Sequence, residues 1–235
     1  MKILAIDTAT SSLSAAIADR QQIVAQFALD LGKTHSTCFL PMLDSMLSYS
    51  GLKISDMDAI AVTVGPGSFT GLRIGVATAK AWGQLLGIPM IAVNSLEAMA
   101  EATGSDGLVC PIFDARRDEV YTALFDCHQR LLPDRAVAPQ QLAEELVTYN
   151  KPVLMAGDGL KSYQQIFTDV LDDKLQLAAA PVRYVMAAAA AIIGQEKYAR
   201  GEFTSLPLLQ PVYLRLSEAE ERKLALMQKA VADDE

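Results

Sequence analysis

Side chains that hold metals or form disulfides are scarce in this sequence, which has two histidines and three cysteines. Cys38, Cys110 and Cys127 are odd in number and never spaced as C-x-x-C. That argues against a disulfide framework or a zinc site and fits a reducing cytoplasm. His35 and His128 have no second His, Cys or carboxylate at metal-ligand spacing, so both read as structural. Positive charge is in deficit too: 20 Lys and Arg face 28 Asp and Glu, a formal net charge of -8. Affinity for a phosphate backbone comes mainly from clustered cations, so the chain is not expected to grip a nucleic acid unaided. Long apolar runs are missing as well. The opening MKILAID reaches Asp7 too soon for a signal peptide, and the alanine-rich stretch 182–193 falls far short of the roughly 20 residues of a membrane span. No membrane role is indicated, and no G-x-S-x-G elbow or other compact nucleophile motif is present. What the chain does have is bulk: 235 residues, 51% of them hydrophobic. A chain of this size buries roughly 70–75% of its unfolded surface without metal or disulfide.

Short apolar runs at 2–6, 13–18 and 22–29, with a polar turn at 8–12, predict an antiparallel meander. From Thr37 the spacing changes: Phe39, Met42, Leu43, Met46 and Leu47 recur as on one helix face. Pro41 must then lie in the first turn, or the helix is kinked. A buried strand at 59–64 runs into Gly65-Pro66-Gly67-Ser68-Phe69-Thr70-Gly71, and a helix follows as far as Gly87-Ile88-Pro89. Another apolar run covers 90–93. The second half repeats the opening. An apolar run at 109–113 ends in Asp114, a polar turn spans 115–119, and an alternating run at 120–125 ends in Asp126. The spacing of Asp7 to Asp19 and of Asp114 to Asp126 is the same. Likewise 153–156 leads into Gly157-Asp158-Gly159. The chain reads as two copies of a strand-rich unit with helices, the second shorter.

Asp7-Thr8-Ala9-Thr10 at a strand end is able to offer a carboxylate to a metal ion and hydroxyls to a phosphate, but it is also a plain turn. The loop 65–71 is more specific. A glycine-rich turn before a helix N-terminus, with Ser68 or Thr70 as cap, suits an anion. It is not a Walker loop, because the Lys-Ser or Lys-Thr pair is missing. The helix behind it carries Gly71, Gly75, Ala79 and Gly83 at every fourth position. An interior Gly costs roughly 1 kcal/mol of helix propensity, so the stripe asks for a compensating close contact. That contact is either internal, against the 37–50 helix, or a subunit interface, and the spacing leaves both open. Arg116, Arg117, Asp118 and Glu119 form a charged hairpin tip.

ILAIDTATSSLSAAI, HSTCFLPMLDSML, VTVGPGSFTGLRIGVATAKAWG, DARRDEVY and PVYLR together resemble, in order and spacing, the bacterial TsaB family, also called YeaZ. The resemblance implies an α/β chain of the ASKHA (actin-like ATPase and sugar kinase) fold, with two similar lobes of mixed β-sheet and flanking helices. The lobes would cover 1–105 and 106–216, with a helix or tail over 217–235. It also implies a role in making threonylcarbamoyladenosine, next to the anticodon of tRNAs that read codons starting with A. In that family the protein looks like a non-catalytic paralogue that binds and activates the transferase TsaD. The small ATPase TsaE joins them, and tRNA is met only indirectly. TsaD carries a metal-binding H-x-x-x-H after its glycine loop. Here Ser95 and Met99 stand at those positions, and neither suits such an ion. No catalytic residue and no metal are therefore assigned. The expected partner interface lies on the 37–50 and 70–86 helices: His35, Phe39, Met42, Met46, Gly71, Leu72, Arg73, Gly75, Val76, Ala79, Lys80 and Gly83. A homodimer through the same helices is expected when the chain is alone. Nucleotide candidates are Asp7, Thr8, Thr10, Gly65, Gly67, Ser68 and Thr70, with ATP or ADP expected only in the complex and no cofactor in the isolated chain. The alternative is an active small-molecule phosphotransferase or ATPase using Asp7 with magnesium. Against it, the second lobe opens as Asp114-Ala115-Arg116-Arg117, where kinases of this superfamily have glycine and threonine, although either arginine is able to pair with a phosphate.

Overall fold

The computed structural model describes residues 1–32 and 34–215; the helix or tail expected over 217–235 lies outside them. The first sheet consists of β1 (Lys2–Asp7), β2 (Leu13–Asp19), β3 (Gln22–Leu29), β4 (Ala59–Gly65) and β5 (Met90–Asn94). Its order is β3-β2-β1-β4-β5, with the meander antiparallel and β4 and β5 parallel to β1. Helix α1 (His35–Ser50) links β3 to β4, α2 (Phe69–Leu86) links β4 to β5, and α3 (Ser95–Ala102) follows. β1 is buried on both faces, as a central strand between helix layers must be. Leu4 and Ile6 point to the outer layer under α1 and α2, whereas Ile3 and Ala5 point inward to the second lobe.

The second sheet contains β6 (Leu108–Arg116), β7 (Glu119–Asp126), β8 (Gln129–Val137), β9 (Val153–Ala156) and β10 (Leu175–Leu177). The helices are α4 (Pro139–Val147), α5 (Leu160–Leu171) and α6 (Ala187–Ala199). Its order, β8-β7-β6-β9-β10, is the order of the first sheet strand for strand. The second half repeats the full topology with shorter helices: α4 and α5 have 9 and 12 residues where α1 and α2 have 16 and 18.

Two local expectations are corrected. Helix α1 begins at His35 rather than Thr37, so Pro41 lies inside it beyond the first turn. A proline there removes one helical hydrogen bond at a cost of about 3 kcal/mol. Burial of Phe39, Met42, Leu43 and Met46 offsets it. The turn between β6 and β7 is not 115–119. β6 runs through the polar residues to Arg116, and Arg117 and Asp118 alone make the turn. The two copies pack together through α6, which returns to β1, β2, β4 and β5.

That return explains the alanine-rich stretch. The inner face of the first sheet is lined by Ala5, Ala16, Ala18, Ala59 and Ala61, and Ala187, Ala190 and Ala191 of α6 pack against it. Small residues on both surfaces let helix and sheet approach closely. A Cβ at Gly194 would stand 2.9 Å from the Ala61 Cβ. α3 fills the same inter-lobe layer through Leu96 and Met99. Among the described residues, no helix is long and apolar enough to cross a membrane.

Candidate functional site

A cleft of about 800 Å³ opens between the lobes. Its walls are the 9–11 turn and the 67–71 loop on one side, and the β6–β7 hairpin with the start of α5 on the other. The strand ends bring these segments together because both sheets present the same edge to the junction.

The first-lobe wall is arranged for packing. Asp7 is fully buried and does not line the cleft. One carboxylate oxygen accepts the Ala9 N–H at 3.0 Å and the Thr63 hydroxyl at 2.8 Å, and the other accepts the Ser14 hydroxyl at 3.2 Å. Burial pushes this carboxyl above its ordinary range, and those three bonds partly oppose the rise. The Thr8 hydroxyl donates to the Gly71 carbonyl at 2.7 Å, and Thr10 is turned onto Ser12. The Gly65 N–H is taken by the Ser95 hydroxyl at 3.0 Å, and the Ser68 N–H by the Ala9 carbonyl at 2.6 Å. Ser68 caps α2, its hydroxyl accepting the Gly71 N–H at 3.3 Å. Of the nucleotide candidates, Thr10, Gly67, Ser68 and Thr70 face the cleft; Asp7, Thr8 and Gly65 do not.

The small-residue stripe of α2 finds its contact inside the lobe, on elements other than α1. A Cβ at Gly71 would fall 2.0 Å from the Thr8 carbonyl oxygen, and one at Gly75 2.5 Å from the Thr8 hydroxyl. Gly83 meets Leu206 and Met90 in the same way. Phe39, Met42, Met46, Gly71, Leu72, Gly75, Val76, Ala79 and Gly83 are all buried within the chain. These interface candidates therefore pack in the core of the chain itself. His35 is half-buried with its Nε2 2.8 Å from the Thr10 carbonyl. Arg73 is exposed and Lys80 half-buried. Exposed positions of the same helices include Leu40, Asp44 and Ser48 on α1 and Arg73, Ala77 and Ala81 on α2.

The second-lobe wall is different in chemistry. Arg116, Arg117 and Asp118 take positive φ values of 61, 54 and 56°, which makes the hairpin tight. The Arg116 guanidinium pairs with Asp114 at 3.1 Å on the surface. Arg215 reaches Glu119 at 2.5 Å. A strap at 211–215 crosses the glycine loop: the Val212 N–H donates to the Val64 carbonyl at 2.6 Å. Tyr213 stacks on Phe69 at 4.5 Å between ring centroids, and the Arg73 guanidinium lies over Phe69 at 3.9 Å.

Two groups that sequence reasoning missed sit at the junction. The Asp158 carboxylate accepts the Ser11 N–H at 2.8 Å and the Asp114 N–H at 3.2 Å. Burial pushes it above the ordinary carboxylate range. Lys161 donates to the Ser11 hydroxyl at 2.9 Å and pairs with Asp30 at 2.5 Å. An aspartate flanked by glycines at a strand end was the available signal. Of the residues at the two H-x-x-x-H positions, Ser95 holds the glycine loop and Met99 is core. His128 lies between Glu101 and Asp106, which raise its pKa. Among the described residues, no group of three or more His, Cys, Asp or Glu is placed to hold a metal ion.

Residues 29–223 match the family model described as "TsaD: tRNA N6-adenosine threonylcarbamoyltransferase". The chain is 39% identical to the tRNA threonylcarbamoyladenosine biosynthesis protein TsaB of Bacillus subtilis, over 94% of this chain and 96% of that one. A crystal structure from Pseudomonas aeruginosa, of an uncharacterized protein with similarity to peptidase YEAZ, superposes with a TM-score of 0.74. It is 26% identical and covers 91% of this chain and 99% of that chain. The ROK hexokinase of Thermus thermophilus shares the fold alone, at a TM-score of 0.50 and 12% identity over 84% of this chain and 100% of that one.

Proposed function

The chain belongs to the TsaB (YeaZ) family, and from that premise we propose that it is the non-catalytic partner of TsaD in tRNA threonylcarbamoyladenosine biosynthesis. The observation that carries the non-catalytic part is the state of Asp7. A carboxylate that is to hold a metal and a phosphate must face the cleft with lone pairs to spare. This one is buried and accepts three hydrogen bonds from its own lobe. Ser95 and Met99 likewise have structural work in place of metal binding. The net charge of -8 fits a subunit that leaves the tRNA to another chain.

The partner surface is the outward side of α1 and α2, at Leu40, Asp44, Arg73, Ala77 and Ala81. Small side chains at 77 and 81 leave room for a helix to lie close, and Leu40, 56% exposed, offers an anchor. The same surface serves self-association when TsaD is absent. Threonylcarbamoylation of tRNA by fixed TsaD and TsaE, with and without this chain, tests the role. A rate that depends on the chain is expected, and an unchanged rate contradicts it.

The second reading, an active phosphotransferase, draws on one observation: the cleft, at about 800 Å³, is of a size that takes small ligands. Calorimetry with ATP and magnesium on the isolated chain separates the two. Micromolar binding that disappears in Asp7→Asn supports the kinase, and its absence supports the partner.

A further inference from the structure

Two backbone N–H groups converge on the lobe junction from opposite sides. Ser11 belongs to the β1–β2 connection of the first lobe, and Asp114 to β6 of the second. Both donate to the carboxylate of Asp158, one to each oxygen, at 2.8 and 3.2 Å. Converging N–H groups of this kind form an anion site, and a carboxylate and a phosphate accept the same donors.

We propose that Asp158 is a built-in anion that closes the cleft: its carboxylate ties the opening of one lobe to the opening of the other, as a bound oxyanion would, so closure needs no ligand. The local chain is shaped for this. Asp158 lies between Gly157, which has φ 110°, and Gly159. A Cβ on Gly157 would stand 2.1 Å from the Ile112 carbonyl oxygen, so this turn presses against β6 and carries Asp158 into the junction. A carboxylate so buried is costly unless its oxygens are satisfied. The two N–H donors supply that, with the Lys161 ammonium nearby. Lys161 then closes the outer rim by bonding Ser11 and Asp30 of the first lobe. This inference is independent of the partner role, because it concerns the isolated chain.

Amide hydrogen exchange on the full chain, as wild type, Asp158→Ala and Asp158→Asn, with and without inorganic phosphate, tests it. In Asp158→Ala the Ser11 and Asp114 amides are expected to exchange about ten- to hundredfold faster. Amides of β1 remain as slow as before. Inorganic phosphate slows both exposed amides again, since its oxygens meet the same two donors. Asp158→Asn keeps the shape but one acceptor, and releases one amide while protecting the other. It carries the test if the alanine variant does not fold. Unchanged exchange at either amide in Asp158→Ala, or at both in Asp158→Asn, overturns the bridge. Failure of phosphate to restore protection overturns the anion role.

Discussion

The two lobes share a strand order and differ at their openings. β1 ends in Asp7 and leaves the sheet by a wide turn, whereas β6 runs on through Asp114 to Arg116 and reverses in a tight hairpin. Asp7 is buried among hydroxyls of its own lobe; Asp114 is half-buried on the cleft wall and pairs with the exposed Arg116. The second lobe instead sends its buried carboxylate, Asp158, across the junction. The difference teaches that topology and chemistry separate readily in a duplicated fold. The sheets are held by cores that need only apolar strands in the right order, while the strand ends are free to diverge. In the first lobe Asp7 and Thr8 are bonded within their own lobe, whereas in the second Asp158 bonds across the junction.

The comparison breaks most easily at α2. If the first-lobe stripe is packing, Gly75→Leu forces a side chain into Thr8 and lowers stability by about 3 kcal/mol, read from the denaturation midpoint in urea. If it were a docking surface, the variant would melt as wild type and lose only its partner. The opposite pattern is expected outside. Ala77→Arg or Leu40→Asp, on the exposed stripes, should keep stability within about 0.5 kcal/mol of wild type. Both should nonetheless lose TsaD in co-purification.

Proton linkage sharpens the contrast between the carboxylates. Burial raises the folded pKa of Asp7 above its ordinary 3.8. A raised folded pKa means stability that is full below the unfolded pKa and is lost as pH rises through the folded value. The stability of wild type minus that of Asp7→Asn should therefore fall as the pH is raised from below 3.8, in urea denaturation at a series of pH values. The smallest effect belongs to the second-lobe tip. Arg116→Ala removes a surface pair whose arginine is 87% exposed, and should change stability by about 0.5 kcal/mol or less.

What was legible in the sequence follows from range. β3 and β4 could be read from local pattern, and the equal spacing of the aspartates reported the repeat. Pro41 misplaced the start of α1, because tertiary burial outweighed a local rule. Ala115 and Arg116 read as turn although they continue β6, since that strand passes from core to solvent. The role of α6 was hidden because an alanine-rich helix has meaning only against an alanine-lined sheet far away in the chain. The spacing of Gly71 and Gly75 asks for a close contact, but its partner, Thr8, is distant in sequence. Asp158 was seen as an echo of the first glycine loop, and its two donors lie 147 and 44 residues away.

The central claim is that this chain serves the reaction through its surface and not through Asp7. Reconstituted tRNA threonylcarbamoylation with TsaD, TsaE and the Asp7→Asn chain tests it most directly, once circular dichroism shows the variant folded and co-purification shows it bound to TsaD. The account predicts modification at the wild-type rate. A folded, TsaD-bound Asp7→Asn chain that supports no modification would contradict it.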